Sequence, residues 1–116
     1  MYYFASRAEK SRIEKGVLSK VNFVAGFIVR GTKSSRISIR LRSLVRYAYT
    51  AYILRLNDFN TIKGVSTKLN PPKYLFSQHF YRKVEEELAK RYKVLFVNRR
   101  GKRYAIIRLS VARLTL

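Results

Sequence analysis

Cysteine and tryptophan are absent from this 116-residue chain, histidine occurs once, proline twice, and Asp plus Glu total only 6. Each scarcity removes a class of function. Without cysteine there is no disulfide framework, no thiolate zinc site and no cysteine nucleophile. One histidine, His79, argues against a multi-histidine metal site and against a Ser-His-Asp triad. Neither Gly-x-Gly-x-x-Gly nor a phosphate loop of the Gly-x-x-x-x-Gly-Lys-Ser/Thr type occurs. The acids are too few and too scattered for a two-metal nuclease site. No apolar run approaches the roughly 18 residues that span a bilayer. Met1 to Arg7 lacks a basic segment followed by an apolar one, so no secretory signal is expected. Glu9 and Glu14 among the following bases make a poor organelle presequence. The expectation is an intracellular protein, or one made in the compartment where it works, with no enzymatic activity, no cofactor and no metal.

What is present is positive charge on a chain able to fold. Lys and Arg total 26, the formal net charge is +20, and hydrophobic residues make up 47%. That apolar content is too high for a disordered basic tail, and the length suits one domain or two small lobes. No acid lies between Lys15 and Asn57, and none follows Glu87. A compact domain so charged repels itself and gains stability beside a polyanion. Nucleic acid is the favoured partner class, because each neutralised phosphate releases condensed counterion. An acidic protein or an anionic membrane surface fits the same charge less well. The usage of Tyr, Phe, Ile, Lys and Asn resembles the product of an A+T-rich genome, such as an organelle's.

Periodicity assigns the elements. Residues 5–15 read as a short helix stopped by Gly16, and Val17 to Ala25 as a second helix ended by Gly26. Phe27-Ile28-Val29 reads as a buried strand, and Gly31 to Ser35 as a turn. Ile37, Ile39 and Leu41 alternate with Arg36, Ser38, Arg40 and Arg42, the pattern of a half-buried strand. Its arginines form either a solvated outer face or a row that meets nucleic acid, and the lack of nearby acids favours the second. Residues 46–55 fit a strand or a helix. Tyr47, Tyr49 and Tyr52 there are base-stacking candidates, although core residues with a polar tip are the commoner case. A strand follows through Ile62 to Ser66, then a rigid loop at Pro71-Pro72.

Ser77 to Tyr92 is the clearest helix, capped by Ser77 and striped by Phe80, Val84 and Leu88. Glu86 and Glu87 precede Lys90 and Arg91 by four residues, so the Glu85–Glu87 triplet reads as helix surface. His79 is expected to be exposed. Residues 94–109 form a hairpin whose tip, Arg99 to Arg103, contains Gly101 and four cations, with Asn98 suited to left-handed backbone. A tip of that charge suits phosphate contact. The whole is an α+β fold in two small lobes. Residues 1–66 hold N-terminal helices with a short sheet, and 67–116 hold a strand-helix-hairpin unit.

Three segments, in order, resemble the small-subunit ribosomal proteins of the S-eight family. Ser11-Arg-Ile-Glu-Lys-Gly, continuing through Gly26-Phe-Ile, is similar to the family's Arg-Ile helix and the helix that ends in Gly-Phe/Tyr-Ile. Ile37-Ser-Ile-Arg-Leu-Arg is similar to its alternating strand. Ile62-Lys-Gly-Val-Ser, then Pro72-Lys-Tyr74, resembles its Arg-Val-Ser-Lys-Pro-Gly-x-Arg-x-Tyr stretch, and Val94 to Gly101 lines up with the family's Ser-Thr loop. The Ser-Thr pair falls on Val97 and Asn98, residues 110–116 lack the family's closing Gly-Gly strand, and 44–58 is longer than the usual connection. These departures resemble a divergent, mitochondrial member more than a bacterial one. The resemblance implies two α/β lobes, no catalysis, and binding of the central domain of ribosomal RNA beside neighbouring small-subunit proteins. It implies a mitochondrial ribosome as the location, with the cytoplasm as the alternative.

Two further classes compete. A winged-helix DNA-binding regulator would use 77–92 as its reading helix and 94–109 as its wing, although Glu85, Glu86 and Glu87 would face phosphates poorly. A small nuclease is disfavoured by the scarcity of acids. The expected RNA contacts are Arg36, Arg40, Arg42, Arg46, Lys68, Lys73, Asn98, Arg99, Arg100, Lys102 and Arg103.

Overall fold

The computed structural model describes residues 7–109. They form an α+β fold of four α-helices and a three-stranded antiparallel sheet. The order is helix α1 (Arg7–Arg30), strand β1 (Arg36–Arg40), helix α2 (Leu41–Leu54), helix α3 (Phe59–Ser66), a 3₁₀ turn (Lys73–Phe76), helix α4 (Gln78–Arg91), strand β2 (Lys93–Arg99) and strand β3 (Lys102–Arg108). None of these helices is long and apolar enough to cross a membrane.

Helix α1 replaces the two helices and the strand expected over 5–29, of which residues 5 and 6 lie outside the described residues. Val17, Val21, Ala25 and Val29 recur every four residues and are all buried, so the apolar stripe runs straight through Gly16 and Gly26. Those glycines mark close approach rather than helix ends. A Cβ on Gly16 would overlap the ring of Tyr52 on α2, and one on Gly26 would lie 3.3 Å from the Arg30 guanidinium. The helix ends at the expected turn, where the Gly31 N–H donates to the Phe27 carbonyl at 3.0 Å.

Strand β1 keeps its alternation but stops at Arg40, because Leu41 opens α2 and is fully buried. The ambiguous 46–55 stretch is helical. Leu44, Val45, Ala48 and Ala51 are buried at helical spacing, while Tyr47, Tyr49 and Tyr52 pack half-buried against the core. Burial raises the Tyr49 phenol above its ordinary pKa. Residues expected as a strand at 62–66 form α3 instead. Phe59, Ile62 and Ser66 share one side of it, and Asp58 caps it by accepting from the Thr61 hydroxyl (2.7 Å) and the Thr61 N–H (3.1 Å).

Helix α4 forms as its pattern predicts. The Ser77 hydroxyl accepts from the Phe80 N–H at 3.2 Å, and Phe80, Val84 and Leu88 are fully buried. Glu14 on α1 reaches Lys83 on α4 at 3.5 Å. The hairpin is tighter than expected. Its strands run to Arg99 and from Lys102, leaving Arg100 (φ 52°) and Gly101 (φ 76°) as a two-residue turn. Positive φ at both central residues is type I′ geometry, matched to the twist of the flanking strands. Left-handed backbone therefore falls on Arg100 and Gly101, and Asn98 stays in the ladder opposite Arg103.

The sheet order is β1-β3-β2. Ile39 faces Ala105, and Ile37 faces Ile107. One hydrophobic cluster joins these strands to α1, α2 and α4. The expected division between 1–66 and 67–116 thus runs through a shared sheet, since β1 comes from the first span and β3 from the second.

Two expectations follow. Replacing Gly16 by Ala is expected to destabilise the native chain through collision with Tyr52. In a Tyr52→Ala background the same change is expected to stabilise by up to about 1 kcal/mol, the helix-propensity difference, and paired denaturant titrations of the four proteins read this reversal. For Asp58, the hydroxyl and backbone donors of Thr61 hold its carboxyl below the ordinary value. Its contribution is therefore complete above the unfolded carboxylate range and lost as pH falls through the lowered value. Thermal melts from neutral to acid pH are expected to show Asp58→Asn below the native chain at neutral pH and level with it in acid.

Candidate nucleic-acid interface

The pairing of β1 with β3 sets Arg40 beside Tyr104, at the end of the sheet where the hairpin turns. The first two turns of α4 pass under the same end. Between them lies an open groove of about 450 Å³. Arg40 and Arg42 come from the β1–α2 junction, Gln78, Tyr81, Arg82 and Glu85 from α4, and Asn98, Lys102 and Arg103 from the hairpin. Phe76 completes the lining.

Five cations therefore surround one carboxylate. Arg103 and Glu85 form a two-pronged pair, Nε donating to Oε2 at 2.9 Å and Nη2 to Oε1 at 3.3 Å. That bond raises the Arg103 pKa further, so the guanidinium stays charged. Arg42 is held by the face of Phe76, its guanidinium carbon 4.4 Å from the ring centroid. The Tyr81 phenol is pushed up by burial, an effect that nearby Arg42 and Arg40 partly offset.

Backbone adds to the field. Helix α2 starts at Leu41 with no side-chain cap, so its first N–H groups have no such acceptor, and two arginines sit against the positive end of its dipole. The N-terminal turn of α4 opens on the same groove at Gln78. Two helix N-termini and five cations make a site whose chemistry is the capture of anionic oxygen.

Of the expected contact residues, the groove brings together Arg40, Arg42, Asn98, Lys102 and Arg103. Arg36 is exposed at the far end of β1. Arg99 and Arg100 are exposed, Arg100 at the tip of the turn. Lys68 and Lys73 are exposed on the connection before α4, away from the groove lining. Arg46 holds structure instead: it donates to the carbonyls of Ser66 (3.3 Å) and Leu69 (3.4 Å), satisfying the end of α3. His79 is exposed in the first turn of α4. The i to i+4 pairs expected for Glu86 and Glu87 give way to a Glu87–Lys90 pair at i+3, 3.0 Å long, and Glu86 is exposed.

Sequence reasoning missed Gln78, Tyr81 and Arg82. Their signal was present: positions 78, 81, 82 and 85 share the side of α4 next to the apolar stripe. The glutamates drew attention from it. Among the described residues no group of three His, Asp or Glu side chains is placed to hold a metal ion. In comparisons with known proteins, no family model, no curated protein and no solved structure matches this chain.

Glu85 limits the groove's positive charge, so its removal is a direct probe. Glu85→Gln is expected to cost about 1 kcal/mol of stability, as the loss of a partly exposed ion pair does. It is expected at the same time to tighten binding to a structured RNA and to steepen the log–log salt slope by about one phosphate contact, roughly 0.7 to 0.9. Chemical denaturation and salt-titrated fluorescence anisotropy measure the two effects.

Proposed function

We propose that this chain is a structural RNA-binding protein of the small ribosomal subunit, a divergent S-eight-family member that binds the central domain of ribosomal RNA in a mitochondrial ribosome. The observation that carries the RNA part is the groove, where five cations from three separate chain segments face one carboxylate. The ribosomal part rests on the resemblance in three ordered segments. Asn98, aligned with the family's hydroxyl loop, is among the residues that line that groove. Val97, the other aligned position, alternates to the opposite side of the sheet. A wide groove lined by guanidinium groups suits recognition of RNA by shape and phosphate position.

A second reading is favoured by one specific observation. A strand after the first helix, a hairpin straight after α4, and the sheet order β1-β3-β2 are the arrangement of a winged-helix domain. In that reading α4 enters a DNA groove and the hairpin is the wing. The exposed Glu86, on the side of α4 that would meet the duplex, speaks against it.

Sucrose-gradient fractionation of native extract after a high-salt wash, with sequencing of crosslinked RNA, separates the two. Comigration with the small subunit and crosslinks confined to one central-domain stem are expected. Release from all particles with crosslinks to DNA replaces the ribosomal reading with the winged-helix one. In vitro, changing Arg42, Arg82 and Lys102 together to Ala is expected to flatten the salt slope for a structured stem by about 2 to 3. An unchanged slope removes the groove from the interface.

A further inference from the structure

The groove sits at the hairpin end of the sheet and draws Arg40 and Lys102 from its outer face, and along the strands that outer face carries its own pattern. Residues 36, 38 and 40 of β1, 93, 95, 97 and 99 of β2, and 102, 104, 106 and 108 of β3 share the face turned away from the buried Ile39, Ala105 and Ile107. The pairing register arranges them in rows. Arg36, Arg108 and Lys93 lie directly opposite one another across all three strands. Ser38, Ile106 and Leu95 form the next row, then Arg40, Tyr104 and Val97, then Lys102 beside Arg99.

Like charges directly opposite one another destabilise a sheet. Among the described residues no carboxylate stands on this face. All six acids of the chain lie on α1, on α4 or at the cap of α3, and residues 1–6 and 110–116 contain no acidic side chain. Between the two end rows the surface over β2 and β3 is apolar, with Ser38 and Arg40 at its β1 edge. Leu95 is 62% exposed, with Ile106, Val97 and Tyr104 half-buried around it. On an ordinary sheet these rows are about 7 Å apart, two residues of rise, so the cations flank a platform roughly 20 Å long.

We propose that this outer sheet face is a second RNA-binding surface, which takes an unpaired stretch of RNA: phosphates lie along Arg36, Arg108 and Lys93, and a base lies over Tyr104 and Leu95. An acidic protein segment answers the charge but leaves the platform without a matching partner, whereas unpaired RNA carries both phosphates and flat apolar faces. The proposal rests on the reading of this chain as an RNA binder. It adds that the protein holds two RNA segments at once, a structured one in the groove and an unpaired one across the sheet.

The test uses the full chain with two probes, a structured RNA stem-loop and an unstructured 12-nucleotide RNA. Three variants are compared: Arg36, Lys93 and Arg108 all to Gln; the groove pair of Arg42 and Arg82 to Ala; and a control with the exposed Arg7, Arg12 and Lys15 of α1 all to Gln. The sheet triple is expected to weaken the 12-nucleotide RNA at least tenfold and to flatten its salt slope by about 2, three contacts at roughly 0.7 each. It is expected to leave the stem-loop at native strength and to melt at a higher temperature than the native chain, because opposed like charges are gone. Tyr104→Leu is expected to weaken the 12-nucleotide RNA about tenfold while sparing the fold. Equal weakening by the control and sheet triples overturns the proposal, and so does displacement of the RNA by polyglutamate at equal charge. Failure of the groove pair to weaken the stem-loop is a separate readout and strikes the groove alone.

Discussion

Strand β1 has β3 as its neighbour in the sheet, and this pairing joins residues 36–40 to residues 104–108. Everything of functional interest depends on it. It carries Arg40 and Arg42 to the hairpin and so builds one wall of the groove. The same pairing puts Arg36 opposite Arg108 and creates the cationic row on the outer face. The energy that holds it comes from the other side of the strands, where Ile37 and Ile39 pack against Ile107 and Ala105 above the helices. Burial of Ile39 and Ile107, each contributing about 1.5–3 kcal/mol, with smaller shares from Ile37 and Ala105, fixes the register despite the repulsion of the outer cations.

The placement of the acids is the second organising fact. Glu14 and Glu87 pair with lysines on or between helices, Asp58 caps α3, and Glu85 reaches across to Arg103. Most of these carboxylates thus stabilise the helical layer, while Glu85 reaches the sheet at Arg103 of β3. A +20 chain folds because its cations spread over the surface and the core stays apolar. The same division makes the protein a partner for a polyanion, since the outer sheet face carries no acidic side chain and the groove sets five cations against Glu85 alone.

Much of this was legible in the residues. Helix α4 carries a cap, an apolar stripe at i+4 and basic residues in its last turn, and all act locally. The hairpin was legible for the same reason, although turn geometry moved the left-handed positions to Arg100 and Gly101. Helix α1 was misread because Gly16 and Gly26 look like stops until Tyr52 and Arg30 are seen against them. Helix α3 was misread because Ile62, Val65 and Ser66 fit either period until the Asp58 cap decides between them. The groove was half legible. Local charge density found its strand and hairpin members, but Arg82 and the Glu85–Arg103 pair depend on a helix and a hairpin meeting in space. Arg46 shows the converse, a cation chosen for its neighbours and used to satisfy backbone carbonyls.

The distance along the chain between the two paired strands has a consequence for synthesis. Residues 39 and 105 face each other, so β1 emerges from the ribosome long before β3 exists. Contacts of such high sequence separation form late and slow folding. During that interval β1 has no strand to pair with, and its edge is flanked by arginines. The growing chain therefore passes through an aggregation-exposed period as a cation with an open edge. Completion of the sheet is the event that ends that period, and it waits on the synthesis of β3.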